Sequence, residues 1–114
     1  MEFEYRIYEE VYNDMLSRKK TIEFRLLNEK SSNIQIGDKI KFIVADNEEK
    51  YLIAKVMDKY IYDTLEDLWN DKDRLNNSLN YTKEEFINAF NNIFGKDNVS
   101  KSKIAGLKIK IINQ

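Results

Sequence analysis

Apolar and polar residues alternate with a period of two in several stretches of the chain and recur at helical spacing in others. Residues 2 to 7 set Phe3, Tyr5 and Ile7 against Glu2, Glu4 and Arg6, the pattern of a short strand at an edge or sealing a barrel. From Glu9 to Arg18, the residues Val11, Met15 and Leu16 fall on one helical face with Tyr12 beside them. The cations Arg18-Lys19-Lys20 that close this helix suit the negative end of its dipole. Next, Ile22, Phe24 and Leu26 alternate with Thr21, Glu23 and Arg25, so a strand here directs the apolar three to a core. A polar loop over 28–33 follows, and Ile34 and Ile36 lead into the turn Gly37-Asp38, where glycine can take a positive φ.

The second half reads in the same way. A strand from Lys39 to Ala45 points Ile40, Phe42 and Val44 inward, and Asp46 to Glu49 forms a turn. The return strand, Tyr51 to Tyr60, carries Leu52, Ala54 and Val56 on one face. Ile53 and Met57 break the alternation, which predicts a bulge near Val56. Thr64 caps a short helix whose apolar side is Leu65, Leu68 and Trp69. Residues 70–80 are polar and predict a loop over the barrel mouth. Thr82 and Glu85 form a capping box that opens a helix with Phe86, Ala89, Phe90, Ile93 and Phe94 on its apolar side, ended by Gly95. A last strand runs from Ile104 to Ile112 through Ala105-Gly106. The elements together predict a single α+β domain over 1–114, a small, mostly antiparallel β-barrel with flanking helices. Ile22, Phe24, Leu26, Ile40, Phe42, Leu107 and Ile109 are expected to share one core.

Composition narrows the chemistry. With 114 residues the chain has room for one core and a cleft. It has 0 Cys and 0 His, which removes disulfides, thiol chemistry and the commonest acid–base and metal-binding side chain. Neither a metal nor a cofactor is expected. No apolar run is long enough to span a membrane, and Met1-Glu2-Phe3-Glu4 lacks the pattern of a secretory signal, so a cytoplasmic location is the expectation. The net charge of -1 argues against coating nucleic acid through bulk electrostatics. Any such contact is local, with Arg18-Lys19-Lys20 and the C-terminal Lys101, Lys103, Lys108 and Lys110 as candidate patches.

The candidate site is the polar side of the strand that begins at Thr21. A hydroxyl, a carboxylate and a guanidinium (Thr21, Glu23, Arg25) stand in a row, with Lys20 just before them. Such a row can recognise a polar ligand, or its members can satisfy one another as an ordinary surface pair of little energetic weight.

The string Lys19-Lys20-Thr21-Ile22-Glu23-Phe24-Arg25-Leu26, followed by Ile36-Gly37-Asp38-Lys39-Ile40-Lys41-Phe42, resembles the signature of the ASCH domain, a relative of the PUA domain. Arg18 stands where that signature usually has glycine. The resemblance covers essentially the whole chain and implies a PUA-like barrel with a cleft over the Glu-x-Arg strand. It implies Lys20, Thr21, Glu23 and Arg25 as cleft residues, with the Gly37-Asp38 turn shaping one wall. It also implies a partner that is RNA or a nucleotide, single-stranded or carrying a modified base. The chemistry of the residues fits. Arg and Lys hold phosphates, Glu accepts from exocyclic amino groups, and Tyr60 or Tyr62 offers a ring for a base. Buried tyrosines more often simply pack and bond their hydroxyls.

Some ASCH proteins resemble this chain and hydrolyse N4-acetylcytidine with a Lys, a nucleophilic Thr and a distant Glu. In their motif the Lys matches Lys20, but the nucleophile falls on Glu23, which has no hydroxyl. Thr21 shares the face of Glu23 but sits about 6–7 Å away along a strand. Glu84 or Glu85 is the nearest match to the distant Glu. Catalysis, if any, would rest on Lys20, Thr21 and Glu23, and the balance leans toward a binding module. A ribonuclease built on Lys20 with Tyr60 or Ser31 is a further alternative. The last is a protein-interaction module of a phage or defence system.

Overall fold

A computed structural model of the chain describes residues 2–71, 75 and 82–113. Strands β1 (Glu2–Ile7), β2 (Ile22–Leu26), β3 (Lys39–Val44), β4 (Asn47–Tyr62) and β5 (Ile104–Asn113) form one five-stranded sheet in the order β1-β3-β4-β5-β2. Among the described residues the helices are α1 (Glu9–Leu16), α2 (Glu29–Asn33), α3 (Leu65–Asn70), α4 (Lys83–Phe94) and α5 (Lys96–Lys101). The expected α+β class holds. One pair departs from antiparallel order, since β1 runs parallel to β3 with Phe3 beside Ile40 and Tyr5 beside Phe42. β1 is an edge strand, as its short alternating pattern suggested.

The chain divides into two compact units, Met1–Glu23 with Ile34–Lys59 and Leu107–Gln114, and Phe24–Asn33 with Tyr60–Gly106. In the first unit, Ile40, Phe42 and Val44 of β3 are fully buried, as the alternation required. Opposite them Leu52, Ala54 and Val56 of β4 are buried as well, and Met15 of α1, Ile34, Leu107 and Ile109 complete the core. β4 starts four residues earlier than its hydrophobic pattern indicated, because Ala45-Asp46 alone makes the turn. No bulge at Val56 is needed to explain the pattern. Alternation from Leu52 to Val56 is unbroken, and Met57 is exposed on the other face. The irregularity in the β3–β4 ladder lies between Ile43 and Val44.

The Gly37-Asp38 turn forms as expected. Gly37 takes φ 96° with open space where a Cβ would stand, so its requirement is conformational and not steric. Its amide donates to the Val56 carbonyl at 2.8 Å, and the Val56 amide donates to the Asp38 carbonyl at 2.8 Å. The Asp38 side chain accepts from the Gln35 amide at 2.9 Å, and this bond holds its carboxyl below the ordinary value of 3.8.

The second unit has its own core of Tyr62, Leu65, Leu68, Leu75, Phe86, Phe90, Val99 and Ile104. Thr64 caps α3 by accepting from the Asp67 amide at 3.1 Å. Thr82 and Glu85 make the reciprocal capping box of α4 at 3.1 and 3.0 Å. On α4, Phe86 and Phe90 are buried, but Ile93 is 54% exposed and lies off the packed face. Gly95, at φ 89°, ends α4 and opens α5, a helix the sequence pattern did not reveal, which buries Val99. The polar stretch expected as a loop is helical over 29–33. Asn28 and Ser31 cap it reciprocally, the Ser31 amide donating to Asn28 Oδ1 at 2.9 Å and the Asn28 amide to Ser31 Oγ at 2.8 Å. The expected loop over 70–80 falls largely outside the described residues, and Leu75 within it is helical and buried.

Two outcomes test this account. Phe42→Ala is expected to lower the unfolding free energy by about 3–5 kcal/mol, while Ile93→Ala stays within about 0.5 kcal/mol; urea titration of both variants reads the contrast. The Asp38 contribution is present above the unfolded value and lost as pH falls through the lower folded value. The melting-temperature gap between wild type and Asp38→Asn is therefore expected to be full near neutral pH and to shrink below about pH 4.

Candidate functional site

The site begins where α1 stops. Ser17 is the helix C-cap, and Arg18, the next residue, takes φ 66°, the left-handed conformation that follows many helix ends. The Lys20 amide then donates to the Asp14 carbonyl at 3.0 Å, turning the chain into β2. Arg18 thus occupies a left-handed position where glycine is the easy choice and where the ASCH signature usually has one. The three cations follow directly on the C-cap of α1, whose last turn itself contains no basic residue.

β2 departs from its expected burial. Ile109 donates its amide to the Thr21 carbonyl at 2.9 Å. In that register Glu23 falls opposite Leu107, and opposed residues of an antiparallel pair share a face. Leu107 and Ile109 belong to the first core, so Thr21 and Glu23 lie on the core side of the ladder. Glu23 is accordingly only 5% exposed. Its Oε1 lies 3.4 Å from Lys20 Nζ, the two side chains being 7% and 23% exposed. An unpaired carboxylate at this depth is costly, and the neighbouring ammonium offsets that cost. Ile22 is buried too. Phe24 and Leu26 are half-buried and pack against the second core, not with Ile40, Phe42, Leu107 and Ile109 as the alternation had suggested.

A cavity of about 260 Å³ opens beside this turn, lined by Met15, Arg18, Lys20, Thr21, Ile109, Lys110 and Ile111. Its polar groups are three cations and one hydroxyl, and Met15, Ile109 and Ile111 supply apolar wall. Gly37 and Asp38 are not among its lining residues. Elsewhere in the first unit, Lys59 donates to the Ile34 carbonyl at 2.8 Å, and burial pushes its ammonium below the ordinary lysine value. Lys20, Thr21 and Glu23 belong to the first unit, and Arg25, Tyr60 and Tyr62 to the second. Arg25 and Tyr60 are half-buried, with Tyr60 packed against the second core. Tyr62 is 8% exposed and its hydroxyl donates to Asp71 Oδ2 at 2.8 Å. Its ring packs in that core and presents no open face for a base. Ser31 is fully buried in the cap of α2, where its hydroxyl donates to the Leu26 carbonyl at 2.9 Å, so a Lys20–Ser31 acid–base pair has no support. The sequence reading missed Met15, Ile109 and Ile111 as site residues, since the pairing of Thr21 with Ile109 joins positions with no local signal in common. Among the described residues no group of three or more acidic, His or Cys side chains could hold a metal ion, and no helix is long and apolar enough to cross a membrane.

The chain has the fold of ASCH-domain structures. It superposes on an ASCH protein from Zymomonas mobilis with a TM-score of 0.63 at 15% identity, covering 96% of this chain and 71% of that one. Two structures are more alike. A hypothetical protein, PH0355, matches with a TM-score of 0.80 at 26% identity over 98% of this chain and 100% of its own. Protein PF0455 from Pyrococcus furiosus matches with a TM-score of 0.73 at 28% identity over the full length of both chains. No family model matches the chain, and no curated protein matches it by sequence.

The conformation of Arg18 gives a prediction. A left-handed L-residue costs about 1–2 kcal/mol, and the greater unfolded-state freedom of glycine takes back about 0.4–1 kcal/mol. Arg18→Gly is therefore expected to raise the unfolding free energy by about 0.5–1 kcal/mol in chemical denaturation.

Proposed function

We propose that this chain is an RNA- or nucleotide-binding module that takes a phosphate-bearing ligand in the cavity at the head of β2. The observation that carries the reading is the composition of the cavity wall. Arg18, Lys20 and Lys110 supply positive charge, Thr21 a hydroxyl, and Met15, Ile109 and Ile111 an apolar surface. A mononucleotide has matching parts: an anionic phosphate, a sugar with hydroxyls and a flat, largely apolar base face. Arg meets phosphate oxygens bidentately and Lys meets them as a point charge. Glu23 lies behind Lys20 and steadies its ammonium while offering the ligand little surface of its own. The ASCH fold supports a nucleic-acid partner in general terms. The reading is one of binding, since Glu23 has no hydroxyl with which to form an acyl intermediate.

The test is titration of cytidine monophosphate and a three-nucleotide RNA against wild type, Lys20→Ala, Lys110→Gln and Arg18→Gly, by calorimetry at several salt concentrations. Few phosphates are neutralised in so small a site, so the expected slope of log K on log salt is shallow, about 1–3. Lys20→Ala and Arg18→Gly are expected to weaken binding by about 1–3 kcal/mol, and Lys110→Gln to lower the slope by about 0.7. Arg18→Gly is the most telling variant, because it should gain stability while losing affinity. Equal affinity in all four proteins, or no binding by wild type at low salt, would reject the reading.

A further inference from the structure

The first unit carries a second concentration of positive charge on the side of its sheet away from its core. Along β3, Ile40 and Phe42 turn inward, so Lys39 and Lys41 turn outward. Along β4, Leu52, Ala54 and Val56 turn inward, leaving Tyr51, the half-buried Ile53, Lys55 and Met57 on the same outer side. Along β5, Leu107 and Ile109 turn inward and Lys108 and Lys110 outward. These strands are neighbours in the order β3-β4-β5, so the lysines share one sheet face. Lys39, Lys55, Lys108 and Lys110 are exposed, and none of them forms an ion pair among the described residues. Lys41 lies over the Tyr51 ring at 4.5 Å, a contact that leaves its charge intact. The carboxylates Glu2 and Glu4 of β1 stand beside Lys39 and Lys41, so the field is strongest over β4 and β5.

The register adds a second observation. Lys39 is the direct cross-strand partner of Lys55. Like charges placed opposite each other destabilise a sheet, and Glu2, the partner of Lys39 across the β1–β3 pair, offsets part of this. Lys55, Lys108 and Lys110, which form no ion pair among the described residues, offer their charge to an anion outside the fold. The composition of the face indicates which kind. Protein interfaces are depleted in Lys and rich in Arg and aromatic residues, whereas this face carries five lysines and no arginine, with Tyr51, Ile53, Met57 and Ile112 between and beside them. Lysine acts as a compact point charge without bidentate geometry, which suits a sugar-phosphate backbone read without regard to sequence. Lys108 and Lys110 are two residues apart, about 6–7 Å along the strand, within reach of successive phosphates of an extended strand.

We infer that the outer face of β3, β4 and β5 is a backbone-binding surface for single-stranded RNA, on which Lys39, Lys55 and Lys108 hold phosphates flanking the nucleotide in the cavity. Lys110, which also lines the cavity, joins the two sites. This inference rests on the proposed nucleotide reading of the cavity. The face is the part that measures RNA length, and the cavity is the part that accepts one unit.

The experiment compares wild type with the triple variant Lys39→Gln/Lys55→Gln/Lys108→Gln, which leaves the cavity lining untouched. Fluorescence anisotropy is read with a 12-nucleotide single-stranded RNA, calorimetry with cytidine monophosphate, and both are repeated over a salt series. The triple variant is expected to bind the 12-mer at least tenfold more weakly and to lower its salt slope by about 2, at roughly 0.7 per phosphate contact on a single strand. Binding of cytidine monophosphate is expected to be unchanged. Unchanged 12-mer affinity and slope in the variant would overturn the inference while leaving the cavity reading intact. Failure of wild type to bind either ligand would overturn both. If the face captures a polyglutamate peptide and not the 12-mer, its partner is an acidic protein surface and the inference falls.

Discussion

The pairing of β2 with β5 fixes what the site is made of. Ile109 bonds to the Thr21 carbonyl at 2.9 Å, and further along the Leu27 amide bonds to the Lys103 carbonyl at 2.7 Å. Each bond joins residues in or beside β2 and β5, which are neighbours in the sheet. Because side chains alternate with a period of two, that register decides which half of β2 is placed beside Leu107 and Ile109. A slip by one residue would set Ile22 there and turn Glu23 away. The observed register instead buries a carboxylate against an apolar core, which is tolerable only with a cation alongside. Lys20 is that cation, and the turn after α1 delivers it. The Lys20–Glu23 pair and the cavity lined by Thr21 and Ile109 lie beside this pairing.

Much of the fold was legible because it rests on local chemistry. Thr64 and the Thr82–Glu85 box cap their helices as their spacing required, and Gly37 takes the positive φ its place before Asp38 implied. β3 was legible because Ile40, Phe42 and Val44 are core while Lys39 and Lys41 mark the opposite face, although Ile43 on that face is buried as well. β2 was not, for the opposite reason. Its pattern shows that two faces differ but cannot say what covers each. Here Ile22 and Glu23 are both buried, and Phe24 and Leu26 pack against a different core from the one expected. The polar member of an alternating pair is the outer one only while the outer face meets solvent.

The other differences have similarly specific causes. Asn28 and Ser31 carry a reciprocal cap without the glutamate that usually signals one, so the short α2 read as loop. Val99 alone anchors α5, too little apolar residue to set a period. Ile93 sits at a helical spacing that matches the buried face but is exposed, since α4 buries Phe86 and Phe90 on a narrower stripe. For the site, the cations were visible as a cluster, but their apolar partners Ile109 and Ile111 come from the far end of the chain. Only strand pairing brings them to Thr21.

The placement of charge links the site to the rest of the first unit. The chain as a whole has a net charge of -1, so whatever attraction it has for an anion comes from arrangement and not from excess. At two places the arrangement runs against local stability. Arg18 occupies a left-handed position that glycine would fill with less strain, and Lys39 faces Lys55 across the β3–β4 ladder. Neither is needed for the core, which is complete without either side chain. Both set a cation on exposed surface of the same unit, one at the rim of the cavity and one on the face that Lys110 connects to it. Natural sequences agree with their folds at most positions, and departures cluster where another demand acts. Cations stand at both places, at the expense of strain at one and of like-charge proximity, offset in part by Glu2, at the other.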